Sequence, residues 1–469
     1  EMLRSLVGSE MCIRDRYIAI LLLAGVLTSC KVGKSYVRPD LHLPDSLERA
    51  QDSISFGDQD WRDIYTDATL RSLIERALDH NKDMLIAAAR VKEMAAQKRI
   101  STAALLPDIK GKVTAERELE NHGGDAFKRS ETFEAQFLVS WELDLWGNLR
   151  WARSASIAEY LQSIEAQRAL RMTIVAEVAQ AYYELVALDT ELDIVKQTLK
   201  AREEGVRLAR IRFAGGLTSE TSYRQAQVEL ARTATLVPDL ERKISLKEND
   251  IAYLAGEYPN KIARSRLLQE FNSPETLPVG LPSTLLERRP DIRQAEQKLI
   301  AANAKVGVAY TNMFPRLALT GGFGSESTSL SELLKSPYAV MEGALLTPIF
   351  GWGKNRAALK AKKAAYEAEV HSYEKAVLEA FKETRNAIVN FNKIKEVYEL
   401  RANLERSAKS YMDLAQLQYI NGVINYLDVL DAQRGYFDAQ IGLSNAIRDE
   451  LIAVVQLYKA LGGGWEQNP

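Results

Sequence analysis

The sequence contains an internal duplication in which equivalent positions lie 206 to 208 residues apart. Trp146-Gly147 recurs as Trp352-Gly353, each with an arginine three residues after the glycine, and Pro107 recurs as Pro315. A solenoid is excluded, because its repeats span about 20 to 50 residues. Length alone suggests about three domains of ~150 residues for a chain of 469. The duplication instead predicts two copies of one extended unit.

Each copy contains two segments in which apolar and polar residues alternate. Between residues 130 and 144 the alternation is broken only by Leu138, and residues 108–115 alternate in the same way. A period of two with one apolar face predicts β-strands. Strands of this length suit a tilted crossing of a lipid bilayer. The four predicted strands span residues 106–116, 131–144, 314–324 and 338–349.

The apolar face of these strands could cover a soluble core or face lipid. The flanking segments have helical patterns and offer no compact layer to cover a sheet, so we favour membrane strands. Four strands cannot close a barrel, since the smallest membrane barrels have about eight. An open edge in lipid would leave backbone groups without partners. The chain must therefore oligomerise, with two copies giving eight strands or three copies giving twelve.

Two long helices are predicted after the strand pairs. From Trp352 to Tyr419 there is no proline and only one glycine, Gly353, so one helix of roughly 100 Å can form. The stretch from Trp146 to Phe213 is comparable. Alanines recur at helical spacing in both, which permits close helix approach. An antiparallel coiled coil and the wall of a helical barrel predict the same pattern, and the adjoining membrane strands favour the barrel wall.

The N-terminal region has the pattern of an export signal. Residues 17–29 form an apolar run of 13 that follows Arg14 and Arg16. This run is too short for a stable membrane anchor and is typical of a signal peptide, which we place at residues 1–29.

The signal ends in Leu27-Thr28-Ser29-Cys30, which resembles the lipobox of bacterial lipoproteins. We therefore expect Cys30 to be the acylated first residue of the mature chain; the other interpretation is an ordinary leader with a coincidental cysteine. Cys12 precedes the cleavage point, so the mature chain would form no disulfide. Because the chain opens at Glu1 rather than Met, we expect part of residues 1–16 not to be native.

Charge and composition exclude several functions. The net charge is −2, from 61 Lys+Arg and 63 Asp+Glu, so no global field marks a nucleic-acid binder. The mean hydropathy of −0.22 and the lack of an internal 18-residue apolar run exclude a helical multi-span membrane protein. The four histidines are scattered and the eight methionines do not cluster, so metal binding and metal export have no support.

Motifs for catalysis are also missing from the sequence. Gly351-Trp352-Gly353-Lys354 lacks the first glycine and the terminal hydroxyl of a phosphate-binding loop. No nucleophile elbow or zinc-protease motif occurs. We expect no enzymatic activity, and no catalytic, cofactor-binding or metal-binding residues.

Over residues 30–465 the chain resembles the TolC-like outer-membrane efflux factors, and most closely their NodT/OprM-type lipoprotein branch. The most specific parts of the resemblance are the RRPD stretch at residues 288–291 and the LDVLDAQR stretch at residues 427–434. The motifs are Leu281-Pro282-Ser283, residues 285–292, Trp141 to Gly147, Tyr419 to Gly422, Tyr426 to Gln433, and Ala460 to Trp465.

The resemblance implies a mainly α fold with a membrane β-barrel. Each chain would be internally duplicated and would supply four strands and a long α-helical barrel segment. A homotrimer would complete a 12-stranded barrel. The expected segments are a lipidated N-terminal and equatorial segment (30–66), a first repeat (67–256), an equatorial linker (257–282), a second repeat (283–462) and a C-terminal tail (463–469).

The family function implied is that of an outer-membrane exit duct in a tripartite efflux system. A periplasmic adaptor and an inner-membrane pump would deliver small molecules to it, and the lipobox favours a proton-driven pump. The protein would be lipid-anchored in the outer membrane of a Gram-negative bacterium and extend into the periplasm. The alternative is the outer-membrane duct of a type I protein secretion system, for which an ABC exporter would be encoded nearby. The transported substrate does not follow from the sequence.

Two helix–turn–helix segments, residues 213–219 and 419–425, are candidate sites. Glycine permits the positive φ that ends one helix so that the next can reverse. Such turns can be structural only, but the resemblance implies that the adaptor docks at these periplasmic tips. The candidate docking residues are Gly215, Gly216, Leu217, Gly422 and Val423.

Asp428 and Asp431 form a second candidate site, because positions i and i+3 share one helix face. In a trimer they would form a ring of carboxylates matching the acidic periplasmic gate of TolC-like channels. In the competing interpretation Asn425 and Asp428 form a capping box and Asp431 pairs with Arg434. The first copy has Ser222 and Gln225 at the equivalent positions.

Overall fold

A computed structural model describes most of the chain. The predicted signal peptide (1–29) and the predicted lipidation site Cys30 lie outside the described residues, as do parts of the predicted equatorial segments 30–66 and 257–282. The described residues are 31–41, 55–121, 123, 127–265, 267–271, 278 and 282–465.

Nine α-helices occur within these ranges, together with three short 3₁₀ helices. None of the helices in the described ranges combines the length and apolarity needed to cross a membrane. The α-helices are α1 (Trp61–Ile64), α2 (Ala68–His80), α3 (Lys82–Ala103), α4 (Asn148–Ala214), α5 (Glu220–Leu254), α6 (Pro282–Arg288), α7 (Pro290–Thr311), α8 (Lys354–Ile420) and α9 (Tyr426–Ala460). The 3₁₀ helices are Phe56–Asp58, Leu268–Glu270 and Leu330–Lys335.

The helix lengths repeat between the two copies. Helices α3 and α7 have 22 residues each, α4 and α8 have 67 each, and α5 and α9 have 35 each. The two predicted long helices are therefore confirmed. Each begins directly after a glycine with positive φ, Gly147 at 81° and Gly353 at 76°, since that conformation is incompatible with a right-handed helix.

The four strands form one antiparallel sheet in the order β1-β2-β3-β4, which confirms four alternating strands per chain. The observed strands differ from the predicted bounds by one to four residues at each end. The largest difference is in β1, which continues four residues beyond the predicted position 116 because Arg117 to Glu120 pair with residues 128–131 of β2. The strands are β1 (Asp108–Glu120), β2 (Lys128–Leu143), β3 (Arg316–Ser327) and β4 (Pro337–Leu346).

The two hairpins of the sheet have the same register. Asp108 pairs with Ser140 in the first hairpin, and Arg316 pairs with Leu346 in the second. These partners are equivalent under the sequence offsets of 208 residues for β1 and β3 and 206 for β2 and β4. The duplication found in the sequence is thus a duplication of strand pairing.

The chain divides into two compact units. The sheet unit includes the four strands and lies within residues 31–40, 90–163 and 294–374; the helical unit lies within residues 41–89, 164–293 and 375–465. The helical unit has one large apolar core, because apolar faces of several helices meet there. Its fully buried side chains include Trp61, Leu70, Tyr182, Ile251 and Leu285.

The Arg-Arg-Pro-Asp motif at residues 288–291 is structural and lies in the helical unit. The guanidinium of buried Arg289 pairs with Asp291 and with Glu383, each at 2.7 Å, and donates to the carbonyl oxygen of Ala460 at 3.1 Å. It therefore links the start of α7 to α8 and to the end of α9. A buried cation needs such partners, which explains a specific arginine at this position.

Candidate functional sites

One face of the sheet is apolar across all four strands. Phe137 in β2 pairs with Gly111 in β1 and with Phe323 in β3, and Phe323 pairs with Ala339 in β4. Since side chains alternate along a strand, the odd-numbered residues of all four strands share this face. Six of its large side chains are between 63% and 89% exposed, namely Ile109, Val113, Phe137, Phe323, Met341 and Leu345.

An apolar face of this extent is unusual for a surface in water and suits contact with lipid. The opposite face of the sheet carries mainly charged and polar side chains. There Lys112 pairs with Glu134 at 3.3 Å across β1 and β2, and Tyr338 of β4 donates to Glu134 at 2.6 Å. The sheet thus has one face for hydrocarbon and one for an aqueous interior.

The residues that follow Cys30 are fixed against the junction of β2 and α4. The backbone N–H of Val32 donates to the carbonyl oxygen of Trp146 at 3.1 Å, and the Trp151 indole donates to the carbonyl oxygen of Val32 at 2.7 Å. The Lys31 ammonium lies 3.4 Å from the centre of the Trp151 ring. The segment next to the predicted lipidation site is therefore held at one end of the sheet.

The two predicted helix-reversal turns have the same backbone geometry. Gly216 donates its N–H to the carbonyl oxygen of Phe213 at 3.0 Å, and Gly422 donates to Tyr419 at 3.1 Å. The N–H of the residue after each glycine bonds back to the fifth residue before it, which completes a Schellman motif. Gly216 and Gly422 have positive φ, 71° and 76°, whereas Gly215 does not.

The two turns also lie side by side in the helical unit. The Arg212 guanidinium of the first copy lies 4.6 Å from the ring centre of Tyr419 in the second, and Tyr419 packs on Tyr426 at 5.5 Å. Leu217 and Val423, which follow the two glycines, are 72% and 69% exposed. The turns therefore form one surface with a buried aromatic base and two projecting apolar side chains, here called the tip surface.

Asp428 and Asp431 are both exposed on the first turns of α9. A carboxylate oxygen of Asp428 accepts the backbone N–H of Asn425 at 3.0 Å, so Asp428 has the capping contact of the competing interpretation. Asp431 acts on Arg434 through its charge, which contributes to the raised pKa of that guanidinium. Arg434 donates its hydrogen bond to Glu229 instead.

Glu229 was not predicted from the sequence, although it is the centre of an ionic cluster near the tip surface. The Glu229 carboxylate pairs with Arg434 of α9, with Arg232 at 3.7 Å and with Arg202 of α4 at 3.8 Å. The side chains of Glu229 and Arg202 are each only 5% exposed. The cluster brings together residues more than 200 positions apart, for which the sequence carries no local signal.

No group of three or more His, Cys, Asp or Glu side chains suited to hold a metal ion occurs among the residues that the structure describes.

Comparisons with known proteins agree with this geometry. The family described as "Outer membrane efflux protein" matches residues 73–257 and 281–463. The outer membrane protein OprJ of Pseudomonas aeruginosa is 33% identical over 96% of this chain and 96% of its own length. The cation efflux system protein CusC of Escherichia coli is 28% identical over 94% of this chain and 97% of its own. The solved structure of the outer-membrane channel OprN superimposes with a TM-score of 0.87 at 28% identity, covering 93% of this chain and 100% of that one.

Proposed function

The chain belongs to the outer membrane efflux protein family, and on that premise we propose that it is the outer-membrane exit duct of a tripartite efflux system. Three copies would contribute four strands each to one closed barrel, and their long helices would form the wall of the conduit. Small molecules delivered by an inner-membrane pump and a periplasmic adaptor would pass through it to the exterior.

The observation that carries this proposal is the sheet. Its apolar face continues across four strands, its other face is mainly polar, and in the described part of one chain both outer strands are paired on one side only. Such a sheet satisfies its backbone in lipid only when further copies close it into a barrel.

Reconstitution tests the duct directly. The purified full-length protein should insert into planar lipid bilayers as a trimer and conduct ions, and cells that lack the gene should become more sensitive to the compounds that the system exports. A protein that stays monomeric in detergent and gives no conductance would contradict the proposal.

We further propose that Cys30 carries the lipid anchor. Support comes from the fixed position of Lys31 and Val32 at the junction of β2 and α4, because acyl chains on the preceding residue would then lie close to one end of the sheet. Mass spectrometry of the mature protein should show an acylated N-terminal cysteine. An unacylated mature chain that begins at another residue would contradict this.

We propose the tip surface as the docking site of the adaptor. Its two exposed apolar side chains, Leu217 and Val423, suit insertion into an apolar groove on a partner. Val423→Asp should abolish efflux and capture of the adaptor while leaving trimers intact. The control is Ser407→Asp, which introduces the same charge at an exposed position within α8, about four turns before the tip. Normal efflux in the Val423→Asp strain would refute the assignment.

The periplasmic gate at Asp428 and Asp431 also stays a proposal. The capping contact of Asp428 uses one carboxylate oxygen, so its negative charge remains available to a cation. The double variant Asp428→Ala/Asp431→Ala should raise single-channel conductance and relieve block by multivalent cations. Unchanged conductance and block would leave the pair with a structural role alone.

A further inference from the structure

Among the residues that the structure describes, the two outer strands of the sheet each lack a neighbour on one side. There β1 pairs only with β2, and β4 pairs only with β3. Both edges carry exposed apolar side chains, among them Val113 in β1 and Leu345 in β4. The internal duplication supplies a template for what pairs with them, because β2 of the first copy pairs with β3 of the second within one chain.

We propose that β4 of one chain pairs with β1 of a second chain of the trimer, in the register that β2 and β3 adopt within a single chain. This inference rests on the proposed trimer and adds its register. A β2 residue has its β4 equivalent 206 positions later, and a β3 residue has its β1 equivalent 208 positions earlier. Applying both shifts to a pair between β2 and β3 gives the corresponding pair between β4 of one chain and β1 of the next. The pair Phe137 and Phe323 then becomes Gly343 of one chain with Ala115 of its neighbour.

The two offsets are supported by strand pairing as well as by sequence similarity, since they convert the pairs of the first hairpin into the pairs of the second. In the resulting register Leu345 lies opposite Val113 of the neighbouring copy, and both belong to the apolar face. Cross-strand apolar pairs of this kind stabilise a sheet. A shift by one residue would place the apolar side chains of one strand beside the polar side chains of the other.

The same register explains why β4 ends at Leu346, three residues before the alternating pattern in the sequence stops. The equivalents of residues 347–349 in the first copy are residues 141–143. These pair with β3 but not with β1. Residues 347–349 therefore have no strand partner among the described residues of their own chain. We infer that β4 extends to Ile349 when it pairs with β1 of the neighbouring chain, where Ile349 lies opposite Ile109.

Trp352 is the second sign of a missing neighbour. Its equivalent, Trp146, stacks on Phe314 with ring centres 5.1 Å apart and donates its indole N–H to the carbonyl oxygen of Pro315 at 2.8 Å. Trp352 is 90% exposed within its own chain. The residues equivalent to its expected partners are Leu106, which is 65% exposed, and Pro107.

The duplication thus places Trp352 on Leu106 of the neighbouring copy, with its indole N–H donated to the carbonyl oxygen of Pro107 of that copy. Trp352 is also the one non-glycine residue of the described ranges with a positive φ, at 48°. A side-chain-bearing residue is strained in that conformation. Docking would allow the backbone to adopt the conformation of Trp146, whose φ is not positive.

Cysteine cross-linking tests the register in the full-length protein. After oxidation, the double variant Gly343→Cys/Ala115→Cys should give covalent dimers and trimers on a denaturing gel. The variant Gly343→Cys/Val113→Cys has the same face but is displaced by two residues, about 7 Å along the strand. That displacement exceeds what a disulfide can span, so it should give little cross-linked product.

The matched intrachain pair, Phe137→Cys/Phe323→Cys, should close within one chain under the same conditions and shows that this register supports a disulfide. If the trimer forms but cross-links through the displaced pair Gly343→Cys/Val113→Cys, or through neither interchain pair, the register is wrong and the proposed trimer is not affected. A monomer, established by native mass measurement in detergent, would overturn both the register and the proposed duct.

Substitution of Trp352 tests its docking site. Trp352→Phe keeps a ring but removes the N–H, whereas Trp352→Ala removes both. The temperature at which the trimer dissociates should fall from wild type to Trp352→Phe and fall further for Trp352→Ala. The control Trp146→Phe removes the same donor within one chain, so it should weaken the fold of the chain itself. Equal dissociation temperatures for wild type and both Trp352 variants would refute the contact.

Discussion

Glu229 holds together residues from both copies, because Arg202 and Arg232 belong to the first copy and Arg434 to the second. The hydrogen bond from Arg434 lowers the pKa of Glu229, against the opposing effect of burial. Burial lowers the pKa of Arg202, and the charge of Glu229 counteracts this. Removing the carboxylate would therefore leave a buried arginine without its counter-charge.

We predict that Glu229→Gln lowers the free energy of unfolding by about 3 kcal/mol, the cost of breaking a buried ion pair from one side. Guanidinium unfolding of the purified protein, followed by far-ultraviolet circular dichroism, measures this change. The control is Glu220→Gln, which breaks the exposed pair with Arg224 at 3.0 Å and should cost less than about 0.5 kcal/mol. Equal effects of the two substitutions would show that the cluster does not stabilise the fold.

The same carboxylate gives a pH dependence of known sign. The pKa of Glu229 in the folded chain lies below the ordinary value for glutamate of about 4.3, so its contribution to the free energy of unfolding is complete above that pH. The contribution is lost as the pH falls through the lowered pKa. Wild type should therefore lose more stability than Glu229→Gln when unfolding is compared at pH 7 and below about pH 4. Parallel losses in both proteins would assign the acid sensitivity to other groups.

At the scale of elements, the long helices end where glycine permits a reversal of the chain. Gly422 has a φ of 76° and no heavy atom within 4 Å of an added Cβ, so only the backbone conformation selects glycine there. Gly435, in the interior of α9, also has open space but no positive φ. Neither position has a steric conflict, so a comparison of the two glycines isolates the effect of backbone conformation.

We predict opposite effects of alanine at these two positions. Gly422→Ala should destabilise the chain by about 1 kcal/mol, because a Cβ disfavours the left-handed conformation. Gly435→Ala should stabilise it by about 0.5–1 kcal/mol, since alanine is the better helix former. Guanidinium midpoints of the two variants decide the matter, and a stabilising Gly422→Ala would show that the Schellman turn is not maintained in solution.

Elements of this protein follow from local patterns, and its charge cluster does not. The period of two in residues 130–144 and the proline-free stretch from Trp352 to Tyr419 predict β2 and α8, because each pattern depends on neighbouring residues. The paired turns follow from their glycines. The partners of Glu229 do not, because they meet only after α4, α5 and α9 have packed together.

At the scale of the whole molecule, the two faces of the sheet should respond differently to the same charge. Val139 and Ser140 are neighbours in β2 but lie on opposite faces, since side chains alternate along a strand. Lysine on a lipid-facing position of a membrane strand costs about 2–4 kcal/mol near the bilayer midplane. We therefore expect Val139→Lys to reduce the yield of folded trimer in lipid far more than Ser140→Lys does.

The readout for this pair is the fraction of protein recovered as heat-resistant trimer after refolding into vesicles. A face in contact with water would tolerate both substitutions alike. Equal yields for the two variants would therefore contradict the assignment of the odd-numbered residues to lipid.

The order of strands in the sheet also has a consequence for how the chain folds. Each hairpin joins residues close in sequence, such as Glu120 and Lys128, whereas the pairing of β2 with β3 joins Leu143 to Leu317 across the helices α4 to α7. Closing the longer loop costs about 3 kcal/mol more in chain entropy. We expect both hairpins to form early and the pairing of β2 with β3 to form late, after the helices between these two strands have packed. Until then four strand edges per chain are open, and in that interval the chain depends most on chaperones to avoid aggregation.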